Sequence, residues 1–359
     1  MNTRTWLVTG GAGFIGSNFI LSQFNPQAAM INVDKLTYAG NPHNLNSLTN
    51  EPNYILVQSD IGNEPVIEAL LHKYQPEAVI NFAAETHVDR SIYNPQAFIQ
   101  TNIVGAFHLL QTVRNYWRAL KSPARESFRF LHVSTDEVYG SLEPDAPPFT
   151  ETSPCAPNSP YSASKAGGDH LVRSYHRTYG LPAIITRSSN NYGPRQFPEK
   201  LIPLVILNSL QGKALPIYGD GNHLRDWLYV EDHCEAMRLV LEAGRIGETY
   251  NIGSGGEQTN LEVVRTICAL LDELCPQSPQ SPQSPHASLI TFVKDRPGHD
   301  RRYALDCTKI ARELGWKPKE SLSSGLIKTI RWYLDHQDWV SSIQTGAYRE
   351  WVRQHYGEI

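Results

Sequence analysis

The residues best suited to chemistry fall into two groups. Ser-Thr-Asp-Glu-Val-Tyr-Gly occupies 134–140, and Tyr161 and Lys165 follow about two dozen residues later. Asp136 and Glu137 are adjacent carboxylic acids. Two carboxyls side by side in a shielded site split their pKa values, so one can donate a proton while the other accepts one. Thr135 adds a hydroxyl beside them. Tyr161 and Lys165 stand one helical turn apart on a common face. A neighbouring ammonium stabilises phenolate, so Tyr161 is expected to deprotonate below its usual value of about 10. It can then take a proton from a hydroxyl as hydride leaves. The two groups together suggest redox chemistry and proton chemistry on one substrate.

The elements that position these groups are also legible. The apolar run at 128–133 reads as a buried strand of a parallel sheet. It places Thr135, Asp136 and Glu137 at a carboxyl end, where ligands of open α/β sheets bind. Further strand patterns lie at 6–9, 30–33, 54–57, 78–82 and 182–186. Helical stretches alternate with them, the first from 14 to about 24. This alternation predicts an α/β fold, a Rossmann-like doubly wound parallel sheet. After about residue 187 the texture changes, and Pro194, Pro198, Pro203 and Pro216 punctuate it. A smaller C-terminal substrate-binding lobe is expected there. The expected divisions are 1–190, with a returning segment near 226–245; then 191–335; then a C-terminal extension at 336–359. The Pro-Gln-Ser repeats around 276–285 read as an extended surface loop without an assigned function.

Bulk properties narrow the class. The 359 residues carry a formal charge of −4, which argues against a nucleic-acid or membrane-surface protein. No apolar run reaches the 18 or so residues of a membrane span. The amino-terminal residues read as a first strand and not as a signal peptide. Cys155, Cys234, Cys268, Cys275 and Cys307 are scattered without a CxxC pair. That pattern fits a reducing, cytoplasmic setting and argues against a zinc site, so no metal is expected.

Gly11, Gly13 and Gly16 form GxGxxG, and Gly10, Gly13 and Gly16 form GxxGxxG. The glycines follow a strand and open a helix. They serve a tight turn, close approach to a pyrophosphate and helix-on-sheet packing. The helix start points free N–H groups and a positive dipole end at phosphate. Asp34 ends the second strand, 18 residues after Gly16. Its carboxylate can hold both adenosine ribose hydroxyls and would repel a 2′-phosphate, which favours NAD over NADP. Asp60 and Ile61 can flank the adenine. Ala83, Ala84 and Glu85 can line the nicotinamide side.

The glycine pattern, Asp34 and the Tyr161–Lys165 pair resemble the extended short-chain dehydrogenases/reductases. Five further motifs narrow this: Phe-Ala-Ala-Glu-Thr-His-Val-Asp-Arg-Ser at 82–91, the Thr-Asp-Glu run at 134–140, and the stretches at 189–203, 223–230 and 295–303. From about residue 4 to about 335 the chain resembles the dTDP-glucose 4,6-dehydratase family. Thr86 stands where that family usually has Ser, and the Pro-Gln-Ser insertion lengthens a loop.

The resemblance implies tightly bound NAD, recycled in each turnover, and dTDP-glucose as the small-molecule substrate. Tyr161, aided by Thr135, removes the O4 proton as C4 is oxidised. Glu137 then takes the C5 proton, Asp136 protonates the departing C6 hydroxyl, and hydride returns to C6. It adds Phe14, Ile15, Lys35, Leu36, Thr37, Thr101 and Asn191 to the cofactor contacts. For the sugar nucleotide it implies His87, Asn190, Glu199, Lys200 and Leu201, with Pro216, Tyr218 and Asn260 framing base and sugar. Arg225 and Arg296 suit the pyrophosphate, with His299 and Tyr303 nearby. It also implies a homodimer through helices near 97–119 and 161–179. A UDP- or CDP-glucose 4,6-dehydratase, a UDP-sugar 4-epimerase and an NAD-sensing regulator stay open as alternatives.

Overall fold

The structure is a computed structural model that describes residues 4–275 and 285–344. Its centre is a seven-stranded sheet: β1 (Trp6–Thr9), β2 (Met30–Asp34), β3 (Tyr54–Gln58), β4 (Ala78–Asn81), β5 (Arg129–Thr135), β6 (Ala183–Ser188) and β10 (Thr249–Ile252). All neighbours pair in parallel, in the order β10-β6-β5-β4-β1-β2-β3. The chain winds outward from β1 on both sides. The strand order reverses between β1 and β4, and a crevice opens at such a reversal.

Both faces of the sheet are covered, so its strands read as continuous apolar runs. Alternate residues part company along β1. Trp6 and Val8 join a core with Ile80, Leu131, Met237 and Val240, while Leu7 joins another with Val79, Phe130, Leu110 and Val172. The helix Val230–Ala243 supplies Met237 and Val240 to the first face. The helices Ala106–Ala119 and Pro160–Tyr179 close the second. A third core, with Val205, Ile217, Val264, Ile267, Leu326 and Tyr333, belongs to the smaller lobe.

Two details of the chain's course go beyond the sequence reading, and one reading falls outside the described residues. β5 runs on to Thr135, because Ser134 and Thr135 still pair with Arg187 and Ser188 of β6. The returning segment extends past 245, since β10 adds itself to the edge of β6. The Pro-Gln-Ser repeats fall at 276–284, outside the described residues, apart from Pro285.

The smaller lobe holds β7 (Asn190–Tyr192), β8 (Leu215–Tyr218), β9 (Leu224–Tyr229), β11 (Glu257–Thr259) and β12 (Ile290–Val293). They form one sheet in the order β11-β9-β7 and the parallel pair β12-β8. β9 therefore presents Arg225 and Asp226 beside the carboxyl ends of the large sheet.

Candidate active site

One cleft crosses the carboxyl ends of the large sheet. Gly10, Gly13, Phe14, Ile15 and Gly16 line it, as do Asp34, Lys35, Thr37, Asp60 and Ile61. So do Ala83, Ala84, Glu85 and Thr101, then Thr135, Asp136, Glu137, Tyr161 and Lys165. Asn190, Asn191, Glu199 and Lys200 border its far end. The two chemical groups found in the sequence thus share one space.

The glycine loop is built for close approach. Gly10 has φ +70°, and a Cβ there would stand 2.6 Å from the Ala83 nitrogen. A Cβ on Gly16 would collide with the Gly10 carbonyl oxygen. The helix Phe14–Gln23 starts at Gly13 with no side-chain cap and no acid in its first turn. Its positive end therefore faces the cleft. Asp34 is buried and accepts the N–H groups of Ala12 at 2.9 Å and Leu36 at 2.8 Å. Burial raises its pKa and the two N–H bonds oppose that. Leu36 does not line the cleft. It sits at φ +56° so that its N–H can hold Asp34, and its part is to support that carboxylate. Lys35 Nζ lies 2.7 Å from Asp60 Oδ2. Burial raises the Asp60 pKa, but Lys35 and the Gly62 N–H outweigh it and leave a carboxylate below its ordinary range.

The helix Pro160–Tyr179 fixes the redox pair. Ser159 and Ser162 form a reciprocal capping box, Pro160 opens the helix, and Gly180 at φ +74° ends it. Tyr161 stands in the first turn and Lys165 one turn on. Lys165 Nζ donates to the Val133 carbonyl at 2.8 Å, and burial lowers its pKa to about 8 against the opposing charge of Asp169. Tyr161 departs from expectation. Its phenol is pushed up, by burial first and then by Glu137, while a hydrogen bond with Thr135 works the other way. The Lys165 ammonium is committed to the β5 carbonyl, so the chain's own groups do not supply the charge that phenolate needs.

Asn102 joins this group, and sequence reasoning missed it. It lies in the π-helical turn Gln100–Gly105, buried at 4 % exposure. Its Oδ1 accepts the Glu85 N–H at 2.9 Å, and its Nδ2 donates to Glu85 O at 3.0 Å and Ser164 Oγ at 2.8 Å. It ties the loop after β4 to the Tyr161 helix. The only signal for it was an Asn among apolar residues of a helical stretch.

The adjacent acids meet different surroundings. Asp136 is 1 % exposed, and its pKa is driven well above the carboxylate range by burial, then by Glu137 and Asp226. Thr135 Oγ1 donates to Asp136 Oδ1 at 3.2 Å. Burial leaves the Glu137 pKa raised as well, with Arg296, Lys200 and Arg225 opposing the rise. Asp136 therefore holds its proton more firmly than Glu137. Asp226, the second residue missed, is buried and accepts Ser254 and Gly255 N–H groups and the Ser254 hydroxyl.

The remaining expected substrate residues do not line the cleft itself, and all but His87 come from the chain after residue 200. Arg225 lies over the Tyr303 ring at 4.3 Å and donates to Asp300 O at 2.8 Å. Arg296 Nη1 pairs with Asp89 Oδ1 at 2.9 Å, and the Tyr218 hydroxyl donates to Asp89 Oδ2 at 3.2 Å. Asp89, quoted within its motif but given no role, thus links the two lobes. His299 stacks on His223 at 3.7 Å, and each ring pairs with a separate oxygen of Asp295. His87 caps the helix Val88–Tyr93, with Nε2 3.9 Å from Glu199. Leu201 and Pro216 face away from the cleft: Leu201 packs on the small-lobe core, and Pro216 is buried in β8. Asn260 donates its N–H to His223 O. Among the described residues Asp136 Oδ2, Asn190 Oδ1, Asn260 Oδ1 and Arg296 Nε are buried with no partner. Buried polar atoms are ordinarily paired, so this clustering suits a polar ligand.

Comparison with known proteins places this geometry. A family described as GDP-mannose 4,6 dehydratase matches residues 7–329. A dTDP-glucose 4,6-dehydratase of Xanthomonas campestris pv. campestris (strain B100) is 57 % identical over 345 residues, covering 96 % of this chain and 97 % of the relative. A dTDP-glucose 4,6-dehydratase from Bacillus anthracis str. Ames, solved in complex with NAD, is 44 % identical with a TM-score of 0.82, over 95 % of this chain and 100 % of that one. A dTDP-glucose 4,6-dehydratase from Streptomyces venezuelae, solved with NAD bound, is 45 % identical with a TM-score of 0.83 over the same shares. By these matches along nearly its whole length, the chain belongs to the NAD-dependent epimerase–dehydratase family, within its dTDP-glucose 4,6-dehydratase group.

Proposed function

We propose that this chain is an NAD-dependent dTDP-glucose 4,6-dehydratase, converting dTDP-glucose to dTDP-4-keto-6-deoxyglucose and water. The observation that carries it is the opposed surroundings of Asp136 and Glu137 beside Tyr161. Elimination needs an acid and a base together, and an epimerase needs neither at that place.

The glycine loop and the start of the helix Phe14–Gln23 suit the dinucleotide's pyrophosphate, and Asp34 suits its adenosine ribose. Bound NAD supplies the hydride acceptor for C4, the hydride donor for C6, and a positive charge close to Tyr161. That charge offsets the upward push on the phenol, which Lys165 alone does not. Tyr161 then takes the O4 proton, with Thr135 hydrogen-bonded beside it. The new C4 ketone acidifies the C5 hydrogen, and Glu137 removes it. Asp136 delivers its proton to the C6 hydroxyl, which leaves as water. Arg296 and Arg225 oppose the rise that burial gives the Glu137 pKa, and they suit the sugar nucleotide's pyrophosphate.

The same reading takes the enzyme as a cytoplasmic homodimer. Free thiols at all five cysteines agree with a reducing compartment. Ile99, Phe107 and Tyr179 are exposed on the helical layer of 95–119 and 160–179 and offer an apolar face to a second copy. Sedimentation at micromolar concentration measures that association. The activity is tested by incubation with dTDP-glucose and mass detection of water loss. An unchanged mass with an epimerised sugar would overturn the dehydratase reading, and turnover of UDP- or CDP-glucose alone would overturn the base assignment.

A further inference from the structure

The C-terminal helix Gln337–Ile343 reaches the glycine loop through one side chain. Trp339 Nε1 donates to Asn44 Oδ1 at 2.7 Å. Asn44 is 5 % exposed, and its Nδ2 donates to the Ala12 carbonyl at 2.9 Å. The Asn41 N–H reaches the same carbonyl at 3.0 Å. On the other side of that residue the Ala12 N–H is held by Asp34. Ala12 lies between Gly11 and Gly13, where the loop turns into the helix. A single chain of hydrogen bonds thus runs from Trp339 through Asn44 and Ala12 to the carboxylate expected to hold the adenosine ribose.

The donor end of this chain is itself fixed. Trp339 packs edge-on against Trp332 at 4.9 Å and Tyr333 at 6.1 Å. The Tyr333 hydroxyl donates to the Gln196 carbonyl, and Gln196 lines the far side of the cleft and donates to Asn191 O at 2.9 Å. The aromatic cluster of the C-terminal helices therefore grips both walls of the cofactor cleft. This matters to a reaction in which the same dinucleotide must stay through oxidation, elimination and reduction.

We infer that Trp339 and Asn44 are positioning residues that tether the glycine loop to the C-terminal helix and so slow the release of the dinucleotide. The inference rests on the NAD reading above, but not on the dehydration chemistry. The tether acts on the adenosine and pyrophosphate end, so ADP-ribose, which lacks nicotinamide, reports on it as well as NAD does.

The test compares the dissociation rates of NAD and of ADP-ribose from wild type, Trp339→Phe and Val340→Ala, by stopped-flow displacement. Trp339→Phe keeps an aromatic ring and removes the donor. Val340, buried on the same helix, controls for loss of packing. Trp339→Phe is expected to speed release of both ligands roughly five-fold, the size of one neutral hydrogen bond. Val340→Ala is expected to lower Tm without that change. Asn44→Ala combined with Trp339→Phe is expected to add less than the sum of the two, because they break one chain. Unchanged release from Trp339→Phe, or release that rises in both single variants in step with lost Tm, would overturn the tether alone. A wild-type chain that binds neither NAD nor ADP-ribose would overturn the dinucleotide reading and the tether with it.

Discussion

Asp136 and Glu137 are neighbours in the backbone but not in their electrostatic surroundings. Burial raises both, but Glu137 and Asp226 add to the rise of Asp136 against Arg225, whereas Arg296, Lys200 and Arg225 oppose that of Glu137 against Asp300. Both follow the strand end: Thr135 closes β5, and Asp136 and Glu137 open the short turn Asp136–Tyr139. Glu137→Gln is therefore expected to permit C4 oxidation but block C5 proton removal. Bound NADH would accumulate, visible in the near ultraviolet, and solvent deuterium entry at C5 would fall. Asp136→Asn is expected to impair loss of the C6 hydroxyl, and a 6-fluoro substrate should rescue it, since fluoride leaves without a proton. Equal rescue of both variants, or of neither, would falsify the division.

The pH dependence follows from the same asymmetry. Asp136 has a raised folded-state pKa, so the folded chain holds a proton that the unfolded chain loses near pH 4. Its cost to stability is absent below that range and grows as pH rises toward the folded value. Asp136→Asn is expected to stabilise the protein at neutral pH and to give no gain below about pH 4. Thermal unfolding at the two pH values measures this.

Asp226 offers a second handle on the acid. Removing its negative charge in Asp226→Asn lowers the Asp136 pKa, so the acid form is lost at lower pH. The alkaline limb of turnover is expected to move to lower pH, while the acid limb stays with Glu137. An alkaline limb that stays in place, or moves up, would show that Asp226 does not bias Asp136.

Tyr161→Phe is expected to abolish oxidation and leave the fold intact. The ring remains against Phe98, with which it makes an edge contact at 6.2 Å. Loss of the general base lowers the rate by about 10²–10⁴-fold. Near-normal turnover would mean that another group accepts the O4 proton. In wild type, a phenol absorbance titration should move to lower pH on NAD binding, because the cofactor's charge offsets burial and Glu137.

Asn102→Ala removes the amide that joins the Glu85 backbone to Ser164. The part-buried N–H and C=O of Glu85 lose their partner, at a cost of about 1 kcal/mol. Chemical denaturation should show that loss. Affinity for NAD should fall with it, because the loop after β4 lines the cleft. A variant of unchanged stability would show that other groups satisfy Glu85.

The sequence by itself determined the elements and their chemistry. The glycine spacing after β1, Asp34 at the end of β2 and the Tyr161–Lys165 pair are local patterns. A strand end or a helix face fixes their geometry over a few residues, so residue type and spacing were enough. The adjacent acids were legible for the same reason. Only the tertiary structure decided what surrounds them. That the Asp136 pKa is raised so far depends on burial first, then on Glu137 and on Asp226, which is 90 residues away along the chain and arrives on β9. That Tyr161 is pushed up follows from burial first and then from Glu137, which spacing on a helix cannot reveal. Leu36 lies two residues after Asp34 and turns its N–H to support it, and a backbone donor leaves no mark on residue type. Asn102, Asp89 and the Trp339–Asn44 bond join segments 17 to 295 residues apart. Burial, charge and hydrogen bonding depend on distance in space, and for such pairs that distance is set by the packed fold.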